Sequence, residues 1–223
     1  MRHHPTIVFA SLLFYFSGLV CSAETTAERL VAEEQRILQN TKTSEYAHKT
    51  EVDEQAGSYK LDCSGLVCFA LKKVSPEALK DVPKSGTEKR QLAHDFYEFF
   101  KNAPTPDKAT GETKWVKIEK FADTKPGDVI AWKNEDYKPG ENTGHVMLIV
   151  EAPVADGDSI YKVVVIDSSA HGHGSDTRKK GESGVGRGTL WFSVNKDGEA
   201  IGVRFTSKTG TLNTKNISVG RLQ

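Results

Sequence analysis

Apolar positions repeat along this chain with two periods, and the switch falls near Trp115. Before it, the spacing is that of helices. Leu30, Val31, Ile37 and Leu38 share one face and Glu28, Glu33, Glu34 and Arg36 occupy the others, which predicts a helix from a Thr25 or Thr26 cap to about Asn40. Residues 41–59 are polar, broken by Gly57-Ser58, and predict a connection. Leu66, Val67, Ala70, Leu71 and Val74 then recur at helical spacing directly behind Cys63. Ser75-Pro76-Glu77 puts proline at the first position of a short helical turn. Ser85 with Glu88 resembles a capping box ahead of Leu92, Ala93, Phe96, Phe99 and Phe100, a helix that stops before Pro104.

From Trp115 onward the pattern is that of strands, predicted at 115–118, 129–132, 144–150, 161–166, 189–194 and 200–205. Turns are predicted at Lys125-Pro126-Gly127-Asp128, Pro139-Gly140, Asp156-Gly157-Asp158 and Asn195-Lys196-Asp197-Gly198. Helices followed by a run of antiparallel strands predict an α+β fold, with N-terminal helices packed on an antiparallel sheet. The expected divisions are a signal segment 1–23, an N-terminal helix 24–45, a catalytic domain 46–206 and a polar, mobile tail 207–223.

The signal segment rests on Arg2 followed by the apolar run Ile7 to Val20 and the small residues Cys21-Ser22-Ala23. The run is shorter than the roughly 20 residues of a membrane-spanning helix, so a secreted or periplasmic protein without an integral membrane segment is expected. Val20 before Cys21 favours plain secretion over lipidation. The chain has thirty basic and thirty acidic residues, and loss of Arg2 leaves it near neutral. That balance argues against nucleic acid as a partner. Of three cysteines, Cys63 and Cys68 remain after the signal. Five residues apart on one helix, they point in different directions, and Cys68 reads as a small buried hydrophobe.

Cys63 sits at the first turn of a buried helix, where unpaired N–H groups and the helix dipole favour a thiolate. It reads as a nucleophile. A nucleophilic thiol needs a base, and the base needs an orienting group. His145 opens the most apolar strand and Asp167 closes the next one; antiparallel pairing would make them neighbours. Asp167 would fix one imidazole nitrogen and leave the other facing Cys63. Tyr46 reads as a wall of the cleft and His48 as a surface residue. His171-Gly172-His173 could supply metal ligands together with His145, but the Ser/Gly-rich surroundings read as a mobile surface segment. Gly184-Val185-Gly186-Arg187-Gly188 has no strand-to-helix context and is not read as a dinucleotide site. The long loop between Asp167 and Thr189 reads as a lid or substrate wall.

Three stretches, Asp62-Cys63-Ser64-Gly65-Leu66-Val67, Pro126-Gly127-Asp128-Val129-Ile130 and Gly144-His145-Val146-Met147-Leu148-Ile149, together resemble the NlpC/P60 family of papain-like cysteine peptidases, which is related to the CHAP amidases. The resemblance runs from about Tyr46 to Ile166. It implies a papain-like fold and cleavage of amide bonds in peptidoglycan stem peptides through an acyl-enzyme. It implies Cys63, His145 and Asp167 as the catalytic set and the Cys63 N–H as an oxyanion donor. Tyr46, Asp62 and Ser64 are expected on the substrate side, with no metal and no cofactor, in a monomer. The family's third residue is often His, Asn or Gln, and the connection between the strands carrying His145 and Asp167 is longer here than in the family. An acyl transferase or amidase with another substrate, and a non-catalytic wall-binding protein on the same scaffold, are the alternatives.

Overall fold

Thr25 starts the first helix by accepting from Glu28 N at 3.2 Å while the Glu28 carboxylate accepts from Thr25 N at 2.7 Å, a reciprocal cap. The computed structural model describes residues 23–86, 89–136 and 142–223. Residues 1–22 of the expected signal segment, Glu88 of the expected capping box and the Pro139-Gly140 turn lie outside the described residues. The elements are α1 (Thr26–Asn40), β1 (Thr43–Glu45), β2 (Glu51–Asp53), β3 (Ser58–Lys60), α2 (Cys63–Val74), α3 (Pro76–Asp81), α4 (Ala93–Asn102), β4 (Trp115–Lys117), β5 (Val129–Lys133), β6 (Gly144–Ile149), β7 (Val154–Ala155), β8 (Ile160–Ser169), β9 (Gly184–Val194), β10 (Ala200–Arg204), β11 (Asn213–Thr214) and β12 (Asn216–Leu222). The fold is α+β. Among the described residues, no helix is long and apolar enough to cross a membrane.

The main sheet is antiparallel, in the order β11-β10-β9-β8-β6-β5-β12-β4, with β7 added beside β8. Each face of it buries apolar side chains. Val129, Ala131, Val146, Leu148 and Ile166 meet the helices, through Leu66, Leu71, Phe96 and Phe100 among others. Ile130, Trp132, Met147, Ile149, Val163, Val165, Leu190 and Phe192 form a second cluster on the other side. The alternation of odd and even residues between the two clusters is the period-two pattern of a strand covered on both faces. Phe100 on α4 packs against Trp115 with ring centroids 4.9 Å apart, and the Trp115 N–H donates to Ala78 O at 2.8 Å.

Four expectations are corrected. Residues 207–223 are not a loose tail: β12 is inserted between β5 and β4, with Val219 opposite Ile130 and Gly220 opposite Lys117. Ile217, Val219 and Leu222 supply the apolar contacts that hold it there. The polar stretch 41–59 forms a small sheet in the order β1-β3-β2, anchored by the buried Tyr59. The helix after residue 90 starts at Ala93 and is capped by Asp95, whose carboxylate accepts from Leu92 N at 2.8 Å. Ser85, ten residues upstream in sequence, instead donates directly to the Asp95 side chain.

The fourth correction concerns Glu34. It lies not on an exposed face of α1 but in the interior, fully buried, with neither carboxyl oxygen hydrogen-bonded. Burial raises its carboxyl well above the usual range, and the charges of Asp167 and Glu33 add to the rise. An acid with a raised folded pKa binds its proton more tightly folded than unfolded. Its contribution to stability is complete below the unfolded value of about 4.3 and declines as pH rises toward the folded one. Glu34→Gln carries no such slope. The variant is expected to gain on the wild type by up to about 1.4 kcal/mol per pH unit above roughly pH 5. Urea melts of both proteins between about pH 5 and pH 8 read this directly. A pH-independent gap would show that Glu34 titrates as an ordinary surface acid.

Candidate active site

Asp62 takes an extended backbone conformation (φ −90°, ψ −176°), and its Oδ1 accepts from Gly65 N at 2.7 Å. This cap makes Cys63 the first residue of α2, so its backbone N–H has no intrahelical acceptor. Arg90 secures the corner. Its guanidinium donates to Asp62 Oδ2 at 2.6 Å, to Ser64 Oγ at 2.5 Å and to His48 O at 3.3 Å. His48 itself is exposed, but its Nδ1 reaches Asp62 Oδ2 at 3.3 Å.

Asp62 and Ser64 are therefore buried, with their polar atoms engaged inside the protein. Both are expected on the substrate side; in the structure their side chains shape the start of α2, with the Asp62 carboxylate capping Gly65 N and held by Arg90. Arg90 was not singled out from the sequence. It is one of many Arg/Lys residues in the chain and falls in no motif.

His145 is fixed by its strand. Gly144 has φ +145°, and a side chain there would collide with the Trp132 carbonyl of β5, so only glycine lets the strands approach at this point. The approach puts His145 opposite Trp132, whose ring lies 5.2 Å from the imidazole. β6 pairs with β8 antiparallel, with Leu148 opposite Ile166, which leaves His145 and Asp167 diagonal neighbours on one face. His145 Nε2 is 2.6 Å from Asp167 Oδ2. The next residue on β8, Ser168, donates to Leu61 O at 2.6 Å and so ties this strand to the segment that carries Cys63.

Burial pulls the His145 imidazolium down. The charge on Cys63, the hydrogen bonds to Asp167 and Cys63, and the charge on Asp167 outweigh it and leave the group pushed up to about 10. With Nε2 committed to Asp167, Nδ1 is the ring nitrogen left for the thiol. Tyr46 is half-buried, with its N–H donating to Ser183 Oγ at 3.2 Å and its ring edge-on to His48 at 5.7 Å. Burial raises its phenol, and the charges of Cys63 and Asp62 add to this, so the hydroxyl stays protonated at neutral pH. Cys68 is buried, with burial pushing its thiol up to about 12, and both cysteines are free.

Asp167 is fully buried and holds more partners than the sequence suggested. His173 Nε2 lies 2.8 Å from the same Oδ2 that meets His145, and Arg178 Nη2 donates to Oδ1 at 2.9 Å. Arg178 is held in turn by Asp176 at 2.7 and 2.8 Å and by Gly184 O at 2.8 Å. Burial raises the Asp167 carboxyl, but the His173 charge and the bonds from both histidines hold it well below the usual range. The reading of His171-Gly172-His173 as a mobile surface segment is corrected for His173. Its side chain is only 3% exposed and stacks on Phe205 with centroids 6.0 Å apart. His171 is exposed, as expected of that loop.

The Gly-x-Gly-x-Gly run of β9 explains this packing. A side chain at Gly186 would overlap Arg178, and one at Gly188 would overlap Asp176 and His173. The glycines open one face of the strand to the Asp176 and Arg178 side chains. The signal for this arrangement was the glycine period together with His173, Asp176 and Arg178 just upstream. Local spacing alone does not say that the segment folds back over Asp167.

His145 Nε2, His173 Nε2 and an Asp167 oxygen lie within 4.8 Å of one another. Cys63 stands outside that convergence, and its charge acts on His145. No family model matches this chain, and no curated protein or solved structure matches it either.

Proposed function

We propose that the protein is a secreted thiol hydrolase of NlpC/P60 type that cleaves amide bonds, with peptidoglycan stem peptides as its substrate. The reading is carried by one observation: His145 meets a buried carboxylate at 2.6 Å, and the charge of a cysteine at the first turn of a helix acts on its ring. In this scheme the Cys63 thiolate attacks the carbonyl carbon, and the developing oxyanion is met by the Cys63 N–H. The His145 imidazolium gives its proton to the leaving amine, which departs and leaves an acyl-thioester. His145 then takes a proton from water, hydroxide attacks the thioester, and the thiolate leaves. Asp167 keeps Nε2 protonated and the ring oriented throughout. The resemblance of Asp62-Cys63-Ser64-Gly65 and Gly144-His145-Val146 to that family supports the choice of substrate and the papain-like fold. The apolar run before Ala23 supports export.

Soluble muropeptides incubated with the protein, beside a Cys63→Ala control, test the reading by mass spectrometry. The expected result is new fragments from the wild type and none from the variant, with their masses identifying the bond. Equal cleavage by Cys63→Ala would remove the thiol mechanism. An inert, unalkylated Cys63 with no cleavage would favour a wall-binding protein.

A further inference from the structure

We propose that the Nε2 atoms of His145 and His173 and a carboxylate oxygen of Asp167 form a binding site for a borderline divalent transition ion of the zinc class. Its consequence for catalysis, that the ion switches the thiol site off, rests on the hydrolase reading above.

The geometry is close to that of a ligand set. Both ring nitrogens converge on one oxygen, at 2.6 and 2.8 Å. Zinc bonds of about 2.0–2.2 Å set neighbouring ligand atoms of a tetrahedron roughly 3.3 Å apart, so the three need to open by roughly half an ångström. His145 is fixed in a buried strand, but His173 is not. It lies on a connection outside the strands, so its imidazole is the ligand that would shift by this amount.

The surroundings resemble the outer shell of a metal site. Arg178 holds Asp167 through Oδ1 and leaves Oδ2 to the imidazoles. Asp176 fixes the backbone of His173, accepting from its N–H at 2.7 Å. Trp132 and Phe205 cover the two rings. Two carboxylates, Asp167 and Asp176, meet the one guanidinium of Arg178 beside the imidazoles. Two imidazoles and one carboxylate select zinc, cobalt or nickel over magnesium or calcium. An ion on His145 Nε2 replaces the N–H that points at Asp167, and the displaced proton goes to solvent. A ring metallated at Nε2 can no longer be the doubly protonated acid that the leaving amine needs.

The test is a calorimetric titration of the full chain with zinc chloride, alongside Cys63→Ala, His171→Ala and His173→Gln. One saturable site is expected in the wild type, retained in Cys63→Ala and His171→Ala and weakened at least tenfold in His173→Gln. Should His173→Gln fail to fold, the cobalt spectrum of the wild type decides. A d–d band without a sulfur-to-cobalt charge-transfer band supports the site, and a charge-transfer band puts the ion on Cys63 and overturns it. Absence of saturable binding, or loss of binding in His171→Ala, also overturns it. Zinc binding with no muropeptide cleavage by the metal-free protein would sink the hydrolase reading alone. Cysteine-dependent cleavage with no zinc binding would sink this inference alone.

Discussion

Asp167→Asn is expected to lower turnover of a muropeptide substrate by roughly a thousand-fold and to destabilise the fold by about 3 kcal/mol at neutral pH. Both effects come from the same buried atoms. Oδ2 receives His145 and His173, and Oδ1 receives Arg178. An asparagine can turn either its oxygen or its amide toward His145. If the amide faces Nε2, the ring must take the tautomer protonated at Nδ1, which can no longer accept a proton from that side. If the oxygen faces Nε2, the amide meets the Arg178 guanidinium, donor against donor. Arg178 keeps Asp176, which puts the stability loss at the lower end for breaking a buried ion pair.

The pH dependence gives a second check on Asp167. Its folded pKa is depressed, so its contribution to stability is present above the unfolded value of about 3.9 and is lost as pH falls below it. The stability gap between wild type and Asp167→Asn should therefore be full at neutral pH and narrow on acidification. Thermal and urea melts across that range measure it. A gap that stayed constant down to roughly pH 2 would mean the carboxylate is not what the histidines and Arg178 stabilise.

His145→Gln is the second large effect. Loss of the shuttle is expected to cost roughly a thousand-fold in kcat/KM, in the middle of the range for general acid–base groups. It should also change the shape of the pH profile. In the wild type the imidazolium persists up to about 10, held there against burial by Cys63 and Asp167. The acid that protonates the leaving amine is present below that value and lost above it. Activity should fall as pH rises through about 10, and the residual activity of His145→Gln should lack this limb. A wild-type limb near 6.5, the ordinary histidine value, would show that His145 does not share its proton with Cys63. Rates measured with substrates that have good leaving groups separate the two roles. They need little acid assistance, so the variant's deficit should shrink with them.

How much of this could be read beforehand depends on what each feature requires. The α1 and α2 helices, the strands beginning at Val129 and Gly144, and the α+β class follow from apolar periodicity and caps, which are local properties of the chain. The juxtaposition of His145 with Asp167 was also accessible, because antiparallel pairing of successive strands constrains their ends. β12 was legible in retrospect: Ile217, Val219 and Leu222 carry a strand signal that the threonine-rich stretch before them obscured.

Other features were decided only by the tertiary structure. Glu34 sits among charged neighbours in sequence, and its burial depends on where α1 lands on the sheet. Arg90 becomes a clamp only because residue 90 returns to the start of α2. His173 becomes a partner of Asp167 because the glycines of β9 admit the segment containing Asp176 and Arg178. Helices and strands are set by interactions within a few residues, which sequence displays directly. The partners of a buried charge are set by contacts across long separations, such as the 107 residues between Ser168 and Leu61, and only the folded chain brings them together.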